Sequence, residues 1–452
     1  MKRLIFLSIV SCLLTGCGIY GKYSRPDMEI EAQYRHMENT ADTATIASLS
    51  WREFFADLRL QALIEQGLER NTDLRIAHLK VEEAEAVLMN ARLSYLPALS
   101  LSPEAGIGRY VGNTSITYHI VASASWELDI FGKNTNAKRG ASTALDGSRD
   151  YAQAVRTRLI ATIANSYYTL LMLDSQLNIG ERTLGNWGKS IHTLEALKRG
   201  GETNDAAVLQ EHANRMTLES SVLALRKSIA DTENSLVALL ALPSQRITRG
   251  TLSEMTFPES VSAGIPIQLL ANRPDVRQAE RNLAQAFYAT NAARAAFYPT
   301  VTLSGVLGWT NNGGGAILNP GHWLLNAIGS LTQPLFNKGA NIANLKIAEA
   351  RQEEAKLQFR QSLLDAGKEV NDALVQCQTS KRQIELGDQQ ITTLHETVRK
   401  TELLMRHSPT TYLEVLTAQQ SLLDAQQRLS QYRFDNIQGF INLYHALGGG
   451  CL

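Results

Sequence analysis

Two stretches of this chain, each more than sixty residues long, contain no proline and repeat apolar residues every seven positions over much of their length. In the second stretch the row is Leu363, Val370, Cys377, Ile384, Ile391, Val398 and Met405. Three residues after each of the first six come Ala366, Ala373, Ser380, Gly387, Leu394 and Thr401. This is an a/d heptad with mostly small residues at d. The first stretch shows Ile163, Leu170, Leu177, Leu184 and Ile191, with Leu159, Ser166, Leu173, Gly180, Trp187 and Leu194 in the partner row. Small residues at this spacing let helix backbones approach closely. As one helix, Thr135 to Arg199 is ~95 Å long at ~1.5 Å per residue. A globular core has no use for such a helix, whereas a structure reaching across a wide compartment does. Eleven prolines in 452 residues fit the same picture of long unbroken helices.

The two stretches belong to two copies of one plan. Asp73-Leu74-Arg75 matches Asp275-Val276-Arg277, and Ala91-Arg92 with Pro97 matches Ala293-Arg294 with Pro299. Phe131-Gly132-Lys133 matches Phe336-Asn337-Lys338, and Val208-Leu209 matches Val415-Leu416. The offset grows slowly from 202 to 207, as two ancestral copies with small insertions would show. Each copy reads helix, strand, strand, very long helix, turn, helix. The first copy spans 60–257, with an opening helix over Leu60–Leu93, a hairpin at about 99–131, a long helix at 135–199 and a helix at 204–242. The second spans 258–452, with a helix at about 266–297, a hairpin at 300–336, a long helix at 338–406 and a helix at 409–447. Residues 17–59 form an N-terminal extended segment.

Between the helices the period changes to two. Ile116, Tyr118, Ile120, Ala122, Ala124, Trp126, Leu128 and Ile130 alternate with Thr117, His119, Val121, Ser123, Ser125, Glu127 and Asp129. Val301, Leu303, Gly305, Leu307 and Trp309 alternate with Thr302, Ser304, Val306 and Gly308. These are strands with one apolar and one mostly polar face. Weaker strands near Leu99–Val111 and Trp323–Phe336 complete two hairpins, with turns at Gly112-Asn113 and Asn311–Gly315.

The N-terminus is a targeting segment. Lys2 and Arg3 precede a short apolar run, Leu4 to Leu14, and then Leu14-Thr15-Gly16-Cys17. This resembles a bacterial lipobox: residues 1–16 are cleaved and the Cys17 thiol is acylated. Gly18 follows where an aspartate would favour inner-membrane retention, so transfer to the outer membrane is expected. Acylation of Cys17 leaves Cys377 and Cys451 as the only pair available for a bridge. After Cys17 no apolar run of ~18 residues follows, so any membrane crossing must use strands. Equal counts of 44 basic and 44 acidic residues give no electrostatic case for nucleic acid.

Four strands are too few for a barrel, since the smallest membrane barrels need about eight. An open sheet would expose unpaired edges in lipid. The strands must therefore close between subunits, with lipid outside and water inside. Helices carrying a narrow heptad seam want partners on their flanks, and a closed wall of them is a tube. Trp126, Trp309 and Trp323 suit interfacial aromatic belts, or equally core packing.

The chain resembles TolC-type outer-membrane efflux proteins, in particular their NodT-like lipoprotein branch, over nearly the whole mature length. The markers are Trp51-Arg52-Glu53-Phe54-Phe55, Asp57-Leu58-Arg59-Leu60, Asn71-Thr72-Asp73-Leu74-Arg75, Trp126–Lys133, Arg273-Pro274-Asp275-Val276-Arg277 and Tyr412–Gln419, in that order. The resemblance implies a mainly α fold with a transmembrane β part: a homotrimer whose twelve-stranded barrel continues as a twelve-helix periplasmic α-barrel. It implies a periplasmic adaptor (membrane fusion) protein and an inner-membrane pump of the resistance-nodulation-division class as partners. The family closes its periplasmic tip with inward-facing carboxylates three residues apart, and the matching positions here are Glu414 and Thr417, of which only the first is acidic. A ring of three Glu414 side chains would favour cations. The plainer reading is a solvated glutamate at a helix start. The preceding turn, Arg406-His407-Ser408-Pro409-Thr410-Thr411, lacks the family's usual glycine but offers Ser408 as N-cap and Pro409 as first helical residue.

The lumen-facing strand positions are Thr117, His119, Ser123, Ser125, Glu127, Asp129, Thr302 and Ser304. Nine scattered histidines, eight unclustered methionines and no nucleophile–base arrangement give no case for an enzyme, a cofactor or a metal site. The expected function is the exit duct of a tripartite efflux system passing small molecules such as drugs. The alternatives are the outer component of a type I protein-secretion system and, in another class, a non-porous coiled-coil lipoprotein that spans the periplasm. Amphipathic strands argue against the last, because a spacer has no use for them.

Overall fold

The computed structural model describes residues 20–27, 49–110, 112–255, 273–310, 322–407 and 412–450. Cys17, Pro266, the Asn311–Gly315 turn, Ser408, Pro409 and Cys451 lie outside them. The N-terminal segment expected to be extended contains a short helix, α1 (Trp51–Phe54), closed by a Ser50–Glu53 capping box. The first copy comprises α2 (Leu58–Arg70), α3 (Thr72–Leu93), β1 (Ala98–Tyr110), β2 (Asn113–Leu128), α4 (Lys133–Arg199) and α5 (Asp205–Leu239). The second comprises α6 (Pro274–Ala295), β3 (Thr300–Thr310), β4 (His322–Thr332), α7 (Ala340–His407) and α8 (Tyr412–Ala446). Helix, hairpin, long helix and shorter helix therefore occur twice.

Two local features depart from the periodicity. The helix expected over Leu60–Leu93 is broken at Asn71, whose Oδ1 accepts from the Leu74 N–H at 2.9 Å and caps α3. Its Nδ2 donates to the Leu239 carbonyl at 2.9 Å. A buried side chain thus supplies the backbone bonds that a continuous helix would have made itself. The strand expected to reach Phe336 stops at Thr332, because Pro334 has no N–H to give a ladder.

The chain divides into two compact units. The first contains the four strands with His78–Asp150 and Arg277–Ser362. The strands form one antiparallel sheet in the order β1-β2-β3-β4, the hairpins being joined through β2 and β3. Close to them, Leu88 of α3 packs against Ala141 and Leu145 of α4. The segment 20–27 is strapped on by Arg25, which pairs with Glu280 at 3.3 Å and lies over the Phe359 ring.

The second unit holds the large apolar core. Trp51, Phe54, Phe55, Leu60 and Ile64 pack with Ile160, Ile163, Tyr167, Leu170, Phe440 and Tyr444. Phe54 stacks on Tyr444 with 4.2 Å between centroids. The small heptad residues do what their spacing requires: a Cβ on Gly180 would come within 3.0 Å of Val222, and one on Gly387 within 3.2 Å of Leu429. Close approach of α5 to α4, and of α8 to α7, thus recurs at equivalent points of the two copies. Arg273, 3% exposed, bridges Asp275 and Glu369 and donates to the Ala446 carbonyl at 3.0 Å, fixing the C-terminal turn. Cys377 carries a free thiol, which burial pushes up to about 12.

Candidate channel wall and helix tip

Strand register decides whether the alternation seen in single strands adds up to a surface. Across β1, β2, β3 and β4 one row reads Leu101, Ala122, Leu307 and Leu325. Another row on that face reads Leu99, Ala124, Gly305 and Ala327. The opposite face carries rows such as Ser100, Ser123, Val306 and Asn326, or Ala98, Ser125, Ser304 and Ile328. The apolar face is uncharged until Arg109, beside the first hairpin turn. It is also bare: Leu99, Leu101, Ile107, Leu325 and Leu331 are each more than two-thirds exposed. A soluble protein rarely leaves such a face open, and a lipid-facing wall requires it. Among the described residues both outer strands, β1 and β4, lack a partner on their free edge.

Polar groups on the other face are tied together across strands. Ser100 and Ser123 share a hydrogen bond of 2.7 Å, and the His119 ring Nε2 lies 2.8 Å from Glu104 Oε2. Thr117, Ser125, Thr302 and Ser304 stand on the same face, with Glu127 opposite Thr302 and bonded to Lys133 Nζ at 2.9 Å. Val121, Val306 and Ile328 interrupt this face, so it is mixed rather than fully polar. Trp126 and Trp309 lie on the apolar face near opposite ends of the strands, and the Trp126 indole donates to the Tyr95 carbonyl at 2.9 Å.

Asp129 does not belong with the lumen-facing strand positions. β2 ends at Leu128, and the Asp129 carboxylate accepts from the backbone N–H groups of Asn134 and Thr135 at 2.8 and 2.7 Å and from the Thr135 hydroxyl at 2.6 Å. It caps α4, where orphan N–H groups and the helix dipole favour an anion. Gly132, at φ +71°, makes the turn between strand and helix.

At the far end of the helices Leu194 of α4, Val208 of α5 and Tyr412, Val415 and Leu416 of α8 form a small apolar cluster. Glu414 and Thr417 point away from it and are exposed on one face of α8, the Thr417 hydroxyl donating to the Leu413 carbonyl at 2.8 Å. Beside Tyr412 of this cluster lies Glu211 of α5, which is fully buried and which no sequence motif marks. A signal for it exists: Glu211 falls three residues after Val208 and seven before Leu218, on the buried heptad stripe of α5. Among the described residues no helix is long and apolar enough to cross a membrane, and no three metal-ligating side chains stand together.

Residues 63–242 and 265–449 match the family model described as outer membrane efflux protein. This chain belongs to that family. The cation efflux system protein CusC of Escherichia coli strain K12 is 32% identical over 451 residues, covering 98% of each chain. The probable outer membrane lipoprotein SilC of Salmonella typhimurium is 31% identical over 464 residues, covering 100% of this chain and 99% of its own. A crystal structure of CusC superimposes with a TM-score of 0.88 at 30% identity over 96% of this chain and all of that one. The open state of the Neisseria gonorrhoeae MtrE outer membrane channel gives 0.87 at 27% identity, over 96% of this chain and 99% of that one. The family member described here is accordingly an outer-membrane efflux channel component with a mainly helical fold.

Proposed function

We propose that three copies of this chain close one duct, a twelve-stranded barrel in the outer membrane continued by twelve helices in the periplasm, through which cargo leaves without chemical change. The observation that carries this reading is the register of the sheet, which gathers an apolar face, charged only at Arg109 beside the hairpin turn, on one side and most of the hydroxyls on the other, while both edges are open among the described residues. The internal repeat supports the closure. Within one chain, Phe131, just beyond β2, stacks on Tyr298, just before β3, with 5.0 Å between centroids. The equivalent residues at the outer edges, Phe336 after β4 and Leu96 before β1, are 86% and 62% exposed. Pairing β4 of one copy with β1 of the next would cover both and continue the antiparallel alternation around the ring. Thr117, His119, Ser123, Ser125, Glu127, Thr302 and Ser304 would then face the water-filled lumen.

Cys17 is the proposed site of lipid attachment. Tyr20 packs beside Gly132, at the point where β2 gives way to α4. Three residues reach ~10 Å at most, so an acyl chain on Cys17 would enter the bilayer at the strand ends. At the other end Glu414, exposed on α8, would form an acidic ring of three with Thr417 beside it. A periplasmic adaptor and an inner-membrane pump of the resistance-nodulation-division class complete the assembly, and cargo selection rests with the pump: the names of similar proteins range from a cation efflux system to a toluene efflux pump. Small molecules such as drugs fit a mixed, hydroxyl-lined wall. The test is the mass of the detergent-purified particle together with its conductance in planar bilayers. A conducting trimer is expected, and a stable monomer would refute the proposal.

A further inference from the structure

We infer that Glu211 is a proton-operated latch: with its carboxyl neutral it holds α5 against α8 at the loop end of the helices, and on ionisation it loosens that contact. The geometry carries this. Glu211 is 0% exposed within a single chain, so no neighbouring copy is needed to bury it. Among the described residues neither of its carboxyl oxygens makes a well-formed hydrogen bond, although the Tyr412 hydroxyl lies close enough to act on it. A buried carboxylate without a cation or a donor is costly, whereas the neutral acid is tolerated among apolar side chains. Tyr412, its neighbour, belongs to the apolar cluster of Leu194, Val208, Val415 and Leu416, none of which can compensate a charge.

Among the described residues no cation acts on Glu211. Tyr412 of α8 is the group that acts on the carboxyl, and burial outweighs it, pushing Glu211 up to about 7. Burial pushes the Tyr412 phenol above its ordinary range, with Glu211 and Glu402 of α7 adding to the rise and the Ser190 hydroxyl of α4 opposing it. Next along α5, the His212 ring pairs with Glu195 of α4 at 3.7 Å, half exposed and outside the cluster. The sign follows. Because the buried acid holds its proton more tightly than a free glutamate does, the contact is at full strength below the ordinary value of 4.5. It weakens as pH rises toward 7 and levels off above it. The span between those two values corresponds to about a three-hundredfold change in the ratio of closed to loosened contact. If the chain is the proposed duct, this contact lies at its periplasmic mouth and its loosening favours the open state.

The test is amide hydrogen exchange on the full-length detergent-purified particle, expressed as protection factors to remove the intrinsic pH dependence of exchange. Protection of amides in 207–216 and 413–420 should fall by about tenfold or more between about pH 5 and about pH 8 in the natural protein. Glu211→Gln should keep the acid-side protection throughout, and His212→Asn should leave the pH profile unchanged. Exchange at the helix ends is read whether or not the particle conducts, so failure of the channel proposal and failure of the latch are distinguishable. Protection in the natural protein that does not vary with pH overturns the inference without any variant. An equal fall in Glu211→Gln overturns it as well.

Discussion

Leu307 and Ser123 lie one strand apart at nearly the same height of the sheet but on opposite faces, Leu307 opposite Ala122 and Ser123 opposite Val306. Placing arginine at each separates a lipid-facing wall from any other use of the sheet. Leu307 is 50% exposed in one chain, so burying the remainder in lipid contributes about half of the ~1.5–3 kcal/mol that full burial of a leucine is worth. An arginine on the lipid face near mid-bilayer adds a cost of ~2–4 kcal/mol. Leu307→Arg should therefore destabilise each copy by ~3–5 kcal/mol, and a trimer carries the substitution three times. Each ~1.4 kcal/mol is a factor of ten, so the particle should be almost absent from outer membranes. Ser123→Arg enters the hydrated lumen and should shift stability by no more than ~0.5 kcal/mol. The assay is the yield and heat resistance of the particle extracted from outer membranes, followed by insertion of refolded protein into lipid vesicles. Equal losses from the two substitutions, or a greater loss from Ser123→Arg, would refute the assignment of the faces.

Cys17→Ser should abolish incorporation of labelled palmitate while leaving much of the helical content seen by circular dichroism; undiminished labelling would remove the anchor. Arg273→Ala leaves the Asp275 and Glu369 carboxylates and the Ala446 carbonyl without their shared donor. It should cost ~3 kcal/mol, at the low end for breaking a buried pair because both carboxylates are half exposed. Arg273→Lys should restore little, since lysine cannot bridge in a fork. Thermal unfolding of the purified protein checks both Arg273 substitutions.

Much of the architecture was legible because it is periodic. Seven-residue spacing without proline gave α4 and α7 to within a few residues, and alternation located the two hairpins. Asn71, Asp129 and Pro334 escaped that reading: each changes the local backbone through a hydrogen bond made or withheld by one residue, and averaging over a period hides it. Asp129 shows the mechanism most clearly. Its parity matches Glu127, yet one step past the end of β2 the free N–H groups of α4 claim its carboxylate.

By itself the sequence determined which side chains share a face and which positions are small enough for close helix contact, because strand and helix periods are local properties of the backbone. The tertiary structure alone decided which faces align across β1 to β4, that Arg273 closes on the C-terminal turn, and that Glu211 is sealed beside Tyr412 with no cation among the described residues. Those outcomes depend on residues far apart in the chain meeting at hydrogen-bonding or van der Waals distance, and no local spacing encodes that meeting.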